Sequence, residues 1–191
     1  ISGYVNTSIE WSPGTGNAHV PVYGLNANPD GSGKKADGFN LNVVNLTIEK
    51  PVDEGQWTAG YKAELIFGPD AAAYATQSSG TASDFGIKQA YVSLRAPVGN
   101  GLDFKVGVWD TLFGYEVFNA GSNPNYTRSY AWTFEPTTHT GVSATYGLCK
   151  SVSASVALVN TYGPKINGRS NPPLAESFKS YMGMLMLTAP D

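Results

Sequence analysis

The sequence has little of three things: cysteine, charge and long apolar runs. Its one cysteine, Cys149, cannot form a disulfide within the chain. Charged residues make up 14% of the chain and the net charge is −3, which argues against nucleic acid as a partner. No apolar run approaches the roughly 20 residues of a membrane-spanning helix. An internal disulfide is therefore excluded, and the sequence argues against a nucleic-acid-binding protein and a helical membrane protein.

Catalytic and metal-binding groups are also scarce. The two histidines, His19 and His139, lie far apart in the sequence, and no cysteine or carboxylate cluster surrounds either one. A metal centre needs such a cluster, and acid–base or nucleophilic catalysis needs paired groups. We therefore expect no metal, no cofactor and no enzymatic activity.

Alternation of apolar and polar residues is what the sequence does contain. In "LTIEKPVDEGQWTAGYKAELIF" (46–67), Trp57, Tyr61 and Leu65 fall on one face, and Lys62 and Glu64 fall on the other. A period of two residues predicts a half-apolar β-strand, and "PVDEG" predicts a tight turn between two such strands.

The same pattern predicts an all-β chain in a single domain, 1–191. No amphipathic helix of useful length interrupts it. Eight strands are predicted at 2–12, 38–50, 56–68, 87–97, 102–110, 139–148, 152–161 and 179–189. In the second strand the apolar parity slips at 43–44, which predicts a β-bulge.

The connections alternate in length. Short turns ("PVDEG", "PVGNG", "GLCKS") alternate with long connections at 13–37, 69–86, 111–138 and 162–178. This arrangement is typical of an antiparallel up-and-down transmembrane β-barrel, whereas an immunoglobulin-like sandwich usually mixes its connections through Greek keys. The polar face holds mainly small Asn, Ser, Thr and Gly residues, which favours a water-filled lumen. The alternative is a soluble antiparallel sheet with a polar outer face.

Three ordered segments carry a resemblance to a known family. They are "GFNLNVVNLTIEKPVDEGQWTAGYKAELIFGPDA", "IKQAYVSLRAPVGNGLDFKVGVWDTLFGYEVF" and "NPNYTRSYAWTFEPTTHTGV". Over most of 38–191 the chain resembles the OmpL-like family of outer-membrane β-barrel porins. The resemblance implies a passive channel in the bacterial outer membrane, with the lipid bilayer and small hydrophilic solutes or ions as its partners. General porins often form homotrimers, and no residue here demonstrates that assembly.

The resemblance also bears on the extent of the barrel. Family members are longer than this chain, and the sequence opens at "ISGYVN" without an initiator methionine. An eight-stranded barrel has an interior that side chains fill, and small inward residues would fill it badly. We therefore expect the N-terminal part of a larger, roughly 16-stranded barrel.

The longest connection, 111–138, is the candidate constriction. It is rich in aromatic residues, so it should pack on something, and the resemblance implies that it folds into the lumen. Asp110, Glu116 and Arg128 are its candidate charged groups. The predicted lumen wall adds Arg95, Lys62, Lys105, Glu64, Asp103 and Glu10. Such charges would set a transverse field, with Arg95 and Arg128 on an electropositive side. Alternatively, Lys62–Glu64 and Asp103–Lys105 are pairs that simply stabilise the sheet.

Four aromatic residues lie toward strand ends on the apolar face: Trp11, Phe39, Trp57 and Tyr61. They predict aromatic girdles at the membrane interfaces, or else simple core aromatics. The function expected from the whole sequence is passive diffusion through an outer-membrane porin. Two alternatives stay open: a secreted β-sandwich that binds carbohydrate, and a structural outer-membrane barrel with a plugged lumen.

Overall fold

The computed structural model describes residues 1–10, 38–54, 56–74, 83–170 and 172–189. Eight β-strands account for most of them, as the alternation predicts. They are β1 (Ser2–Glu10), β2 (Gly38–Lys50), β3 (Thr58–Phe67), β4 (Phe85–Ala96), β5 (Leu102–Asp110), β6 (Thr138–Cys149), β7 (Val152–Val159) and β8 (Ser180–Leu187).

All eight strands belong to one sheet. Each strand pairs antiparallel with its neighbours in chain order, from β1 to β8. In the described part of the chain β1 and β8 are not paired with each other, so the sheet is open. The short connections 51–57, 97–101 and 150–151 lie at one end, and 68–84, 111–137 and 160–179 lie at the other. The predicted up-and-down topology is confirmed.

The two faces of the sheet differ as the alternation predicts. We call the face against which 111–137 packs the inner face, and the opposite one the outer face. Exposed apolar residues cover the outer face across the whole sheet: Val5, Ile9, Phe39, Leu41, Tyr61, Phe67, Phe85, Val92, Leu94, Val106, Val156, Leu158, Tyr181, Leu185 and Leu187. An apolar surface this wide is not left in contact with water.

Besides a shift at Leu148 next to the short connection 150–151, two register shifts place an extra residue in a strand. The first lies between Leu41 and Val43, one residue from the position that the sequence pattern predicts, and makes Asn42 the extra residue. The second, which was not predicted, makes Lys88 the extra residue of β4. Both side chains are buried. Each bulge thus brings a polar group into the interior.

The inner face is not uniformly polar, which corrects the expectation of a small polar wall. One apolar cluster joins Val43 and Ile66 to Ala71. Ala71 lies on a short helix, α1 (Pro69–Tyr74), which the sequence analysis missed because six residues are too few for an amphipathic pattern. A second cluster contains Trp109, Ala157, Val159, Tyr91, Leu112 and Met182. In the described residues no helix is long and apolar enough to span a membrane.

Close backbone approach between β4 and β5 requires glycine at position 107. Gly107 has a φ of 136°, and a Cβ atom there would lie 2.3 Å from the carbonyl oxygen of Ala90. We expect Gly107→Ala to lower the free energy of unfolding by about 1–3 kcal/mol. Denaturant unfolding of the folded chain in detergent measures it. Gly147→Ala is the control, because no heavy atom lies within 4 Å of its Cβ position; equal losses in both variants would contradict the account.

Candidate functional site

The connection 111–137, which joins β5 to β6, reaches across the inner face and contacts the first two strands. Its Phe118 packs against the cluster of Val43 and Ile66. Further along, the Tyr126 hydroxyl accepts a hydrogen bond from the Asn42 amide at 2.5 Å and donates one to Asn6 Oδ1 at 3.1 Å. Asn6 and Tyr126 are 120 residues apart in the sequence. The connection therefore crosses this face of the sheet and contacts its first two strands, and its placement in a lumen stays a prediction.

The bulge in β2 builds the docking point for Tyr126. Because Asn42 is the extra residue, its side chain turns inward beside Asn6 and Ser8 on β1. Its amide nitrogen lies 3.2 Å from Asn6 Oδ1 and 3.1 Å from Ser8 Oγ. Neutral amide and hydroxyl groups thus hold the connection to the wall at this point.

Side-chain bonds within 111–137 fix its own shape. The Asn123 side chain accepts a hydrogen bond from the backbone N–H of Val117 at 2.8 Å and donates one to the Val117 carbonyl oxygen at 2.7 Å. Glu116 accepts hydrogen bonds from the backbone and hydroxyl of Ser129. Arg128 is 6% exposed; its guanidinium donates to the carbonyl oxygen of Phe118 at 2.5 Å and lies 5.2 Å from the Trp132 ring centroid. These contacts give the connection a defined fold.

A buried cation anchors the start of the connection. Lys88 is 1% exposed, and its ammonium forms a salt bridge with Asp110, the last residue of β5. The same ammonium lies 5.2 Å from the ring centroid of Phe118. Gln89 accepts a hydrogen bond from the backbone of Asp110 at 3.2 Å. Burying a lysine is costly unless it is paired, and here carboxylate and ring both compensate it.

Paired charges line the wall below the connection. Glu64 lies 3.5 Å from Lys62 and accepts hydrogen bonds from Asn45 at 2.8 Å and Gln89 at 2.7 Å. Nearer the short turns, Nη1 of Arg95 donates to both carboxylate oxygens of Asp103, at 3.0 and 2.8 Å.

Lys105 is placed differently from the predicted pairing. Its ammonium lies 5.0 Å from the ring centroid of Tyr91. Asp103 takes Arg95 as its partner and not Lys105, which the sequence left open as an alternative partner, because Arg95 and Asp103 are directly opposed across β4 and β5.

Three cavities follow one another along the inner face. The first, of about 580 Å³, lies between β1 and residues 119–126 and shares Tyr4 and Asn119 with the next. The second, of about 370 Å³, lies beneath Phe118 and shares Glu49 and Lys62 with the third. The third, of about 220 Å³, reaches Pro51 and Val52 in a short turn. The space runs from the long connections toward the short turns.

The structure brings only some of the predicted site residues together. Inner-face positions are occupied by Lys62, Glu64, Arg95, Asp103 and Lys105. Asp110, Glu116 and Arg128 contact different partners: Lys88, Ser129, and the Phe118 carbonyl oxygen with the Trp132 ring. The backbone of Glu10 pairs with Gly38 at the end of β1. The roles of these residues in a constriction stay predictions.

Of the predicted interface aromatics, Phe39 and Tyr61 lie on the outer face, and Trp57 directly precedes β3. Phe39 is 88% exposed, and Trp57 and Tyr61 are also exposed. Trp11 lies outside the described residues. Phe67 and Phe85, whose ring centroids are 5.3 Å apart, extend the set at the end of the long connections. Both residues could have been predicted from the sequence, because each lies at a strand end on the apolar side of the alternation.

Sequence reasoning missed Lys88 and Tyr126. Lys88 shares the parity of the outward Ala90, and a lysine in an apolar register is a signal for a bulge. Tyr126 is one of the aromatic residues of the connection that the sequence expects to pack, but its partners could not be predicted because they lie on β1 and β2. Among the described residues no group of histidine, cysteine, aspartate and glutamate could hold a metal ion.

Comparison with known proteins gives one match. A family model described as "Putative beta-barrel porin-2, OmpL-like" matches residues 1–182, so the likeness extends further toward the N-terminus than 38–191. Searches of curated proteins and of solved structures found no match.

Loss of the Tyr126 hydroxyl should loosen the connection. Tyr126→Phe removes bonds to Asn42 and Asn6, each worth about 1 kcal/mol, so we expect the opening free energy of 111–137 to fall by about 1–2 kcal/mol. Amide hydrogen exchange of the connection measures this. Tyr115→Phe is the control, since Tyr115 lies in the same connection and is 84% exposed. Unchanged exchange in Tyr126→Phe would show that the contact does not hold the connection.

Proposed function

Since the chain belongs to the OmpL-like beta-barrel porin-2 family, we propose that it acts in the bacterial outer membrane as a passive diffusion channel for small hydrophilic solutes and ions. The inner face is the solute path, and 111–137 narrows it. No catalytic step is involved.

The chain of cavities is the observation that carries the proposal. Three adjacent cavities that share lining residues follow one another along the inner face. Charged and amide side chains such as Glu49, Glu64 and Gln89 line the central one. A wall of this chemistry can replace part of a solute's hydration as the solute passes.

The outer face supports a lipid environment over a carbohydrate-binding sandwich. A sandwich needs a second sheet to cover its apolar face, and all eight described strands lie in a single sheet. Lipid covers such a face in a transmembrane barrel, with aromatic residues near its two edges. Trp57 at the short-turn end and Phe39, Phe67 and Phe85 at the other end fit this arrangement.

The open sheet supports a barrel with more than eight strands. An eight-stranded barrel has little interior space. The inner face here accommodates both a folded connection and three adjacent cavities. No described contact bears on the homotrimer, which stays a prediction.

The salt bridges on the wall suggest weak ion preference. Lys62 pairs with Glu64, Lys88 with Asp110 and Arg95 with Asp103, so each of these cations is offset locally. We propose that the wall favours neutral and zwitterionic polar solutes, which can align in the local fields between paired charges.

Two variants of one ion pair test the channel. Glu64→Gln and Lys62→Gln both remove the contact at 3.5 Å, but they change the wall charge in opposite directions. In planar bilayers we expect the unaltered protein to form conducting channels. Their cation/anion permeability ratio should fall in Glu64→Gln and rise in Lys62→Gln, each by roughly twofold. Shifts in the same direction would indicate a structural effect only. Absence of channels in the unaltered protein would refute the proposal.

The lipid-facing surface has a separate test. Val92 on the outer face and Ser93 on the inner face are neighbours near the middle of β4. We expect Val92→Glu to lower stability in lipid vesicles by about 1–2 kcal/mol, because its carboxylate must enter lipid. Ser93→Glu, which places its carboxylate opposite Lys105, should change stability little. Equal effects in urea unfolding from vesicles would contradict a lipid-covered outer face.

A further inference from the structure

All three methionines of the chain lie within five residues of β8. They are Met182, Met184 and Met186, in the run "MGMLM". Across β7 they oppose Ala157, Ser155 and Ser153, in that order. Those positions belong to the inner face, because Ser143 and Thr145 connect them in register to Lys105 and Asp103. We call these three residues the methionine stripe.

Beyond Met182, the stripe differs in chemistry from the neighbouring inner positions. The neighbouring inner positions of β6 and β7 carry hydroxyl groups, including Thr145 and Ser155, which hydrogen-bond to each other at 2.8 Å. The outer positions of β8 carry Tyr181, Leu185 and Leu187 and no methionine. A need for apolar surface alone does not sort thioethers to one face and aliphatic groups to the other.

Packing accounts for one end of the stripe only. Met182 contacts the cluster around Trp109, where a flexible side chain fills space. Met184 is partly buried opposite Ser155, and Met186 is 48% exposed opposite Ser153. The exposure of the thioether side chains thus increases along the strand toward the short turns.

We propose that the methionine stripe is a binding site for a soft monovalent cation, Cu(I) or its analogue Ag(I). Thioether sulfur is a soft ligand that selects Cu(I) over hard cations such as Mg²⁺ and Ca²⁺. Alternate residues on one strand face have Cα atoms about 6.6–6.8 Å apart, and each methionine side chain has three rotatable bonds. Two adjacent thioethers can therefore converge on one ion, and Met184 belongs to both adjacent pairs.

This site is independent of solute conduction. It depends on the register of β7 and β8 and on the thioether chemistry, so it would stand even if the chain formed no open channel. Binding involves no change of oxidation state, because the ion enters and leaves as a monovalent cation.

The experiment titrates Ag(I) into the full chain in detergent, with the methionine methyl groups labelled with ¹³C. Cys149 is exposed at the end of β6, and its thiol would bind Ag(I) by itself, so all samples carry Cys149→Ser. The chain then gives only three methyl signals, all from the stripe. We expect the Met184 signal and at least one neighbouring signal to shift and to saturate at one Ag(I) per chain.

Matched variants separate coordination from packing. Methionine-to-leucine changes nearly conserve volume, so the sheet should remain folded by circular dichroism. We expect Met184→Leu to weaken Ag(I) binding by roughly tenfold or more, and the triple leucine variant to abolish it. Adding Leu185→Met to the triple variant places a thioether on the outer face and should not restore binding.

Two results would overturn the proposal. One is that the methyl signals do not move on addition of Ag(I). The other is that the triple leucine variant, folded by circular dichroism, binds Ag(I) as tightly as the chain that retains its three methionines.

Discussion

Side chains along a β-strand point alternately to its two faces, and the structure depends on that constraint throughout. Each pair across neighbouring strands shares a face, so one sheet sorts the chain into an apolar surface and a largely polar one. The pairs Val92–Val106 and Ser93–Lys105, neighbours on the same two strands, show this separation over a single residue step. Because neighbouring strands share this sorting, the sheet fits the proposed arrangement, in which lipid covers one face and the other lines a solute path.

Two of the places where the alternation is interrupted organise the interior. At Asn42 the extra residue provides the amide that receives the Tyr126 hydroxyl. At Lys88 the extra residue provides the buried ammonium that holds Asp110 and faces Phe118. Both bulges therefore position the same connection, 111–137, across the inner face. A strand without a bulge could not aim these groups inward without losing an apolar neighbour from the outer face.

Local periodicity predicts the strands well and the interior poorly. The bounds of β2 and β5, the turn positions and the inward side of Lys62, Glu64 and Arg95 follow from alternation alone. The partner of Asp103 does not, because it depends on the register between two strands. The contacts of Arg128 with the Phe118 carbonyl oxygen and the Trp132 ring, which brace its own connection, do not follow from alternation either. Such contacts depend on tertiary packing, which period-two patterns do not encode.

Separation of lipid and water by one sheet is the central claim, and thiol labelling along β4 tests it most directly. In a Cys149→Ser background, single substitutions Tyr91→Cys, Val92→Cys, Ser93→Cys and Leu94→Cys are reconstituted into lipid vesicles and exposed to a small, charged, membrane-impermeant thiol reagent. The account predicts labelling at positions 91 and 93 and protection at 92 and 94. Equal labelling at all four positions, or the opposite alternation, would contradict it.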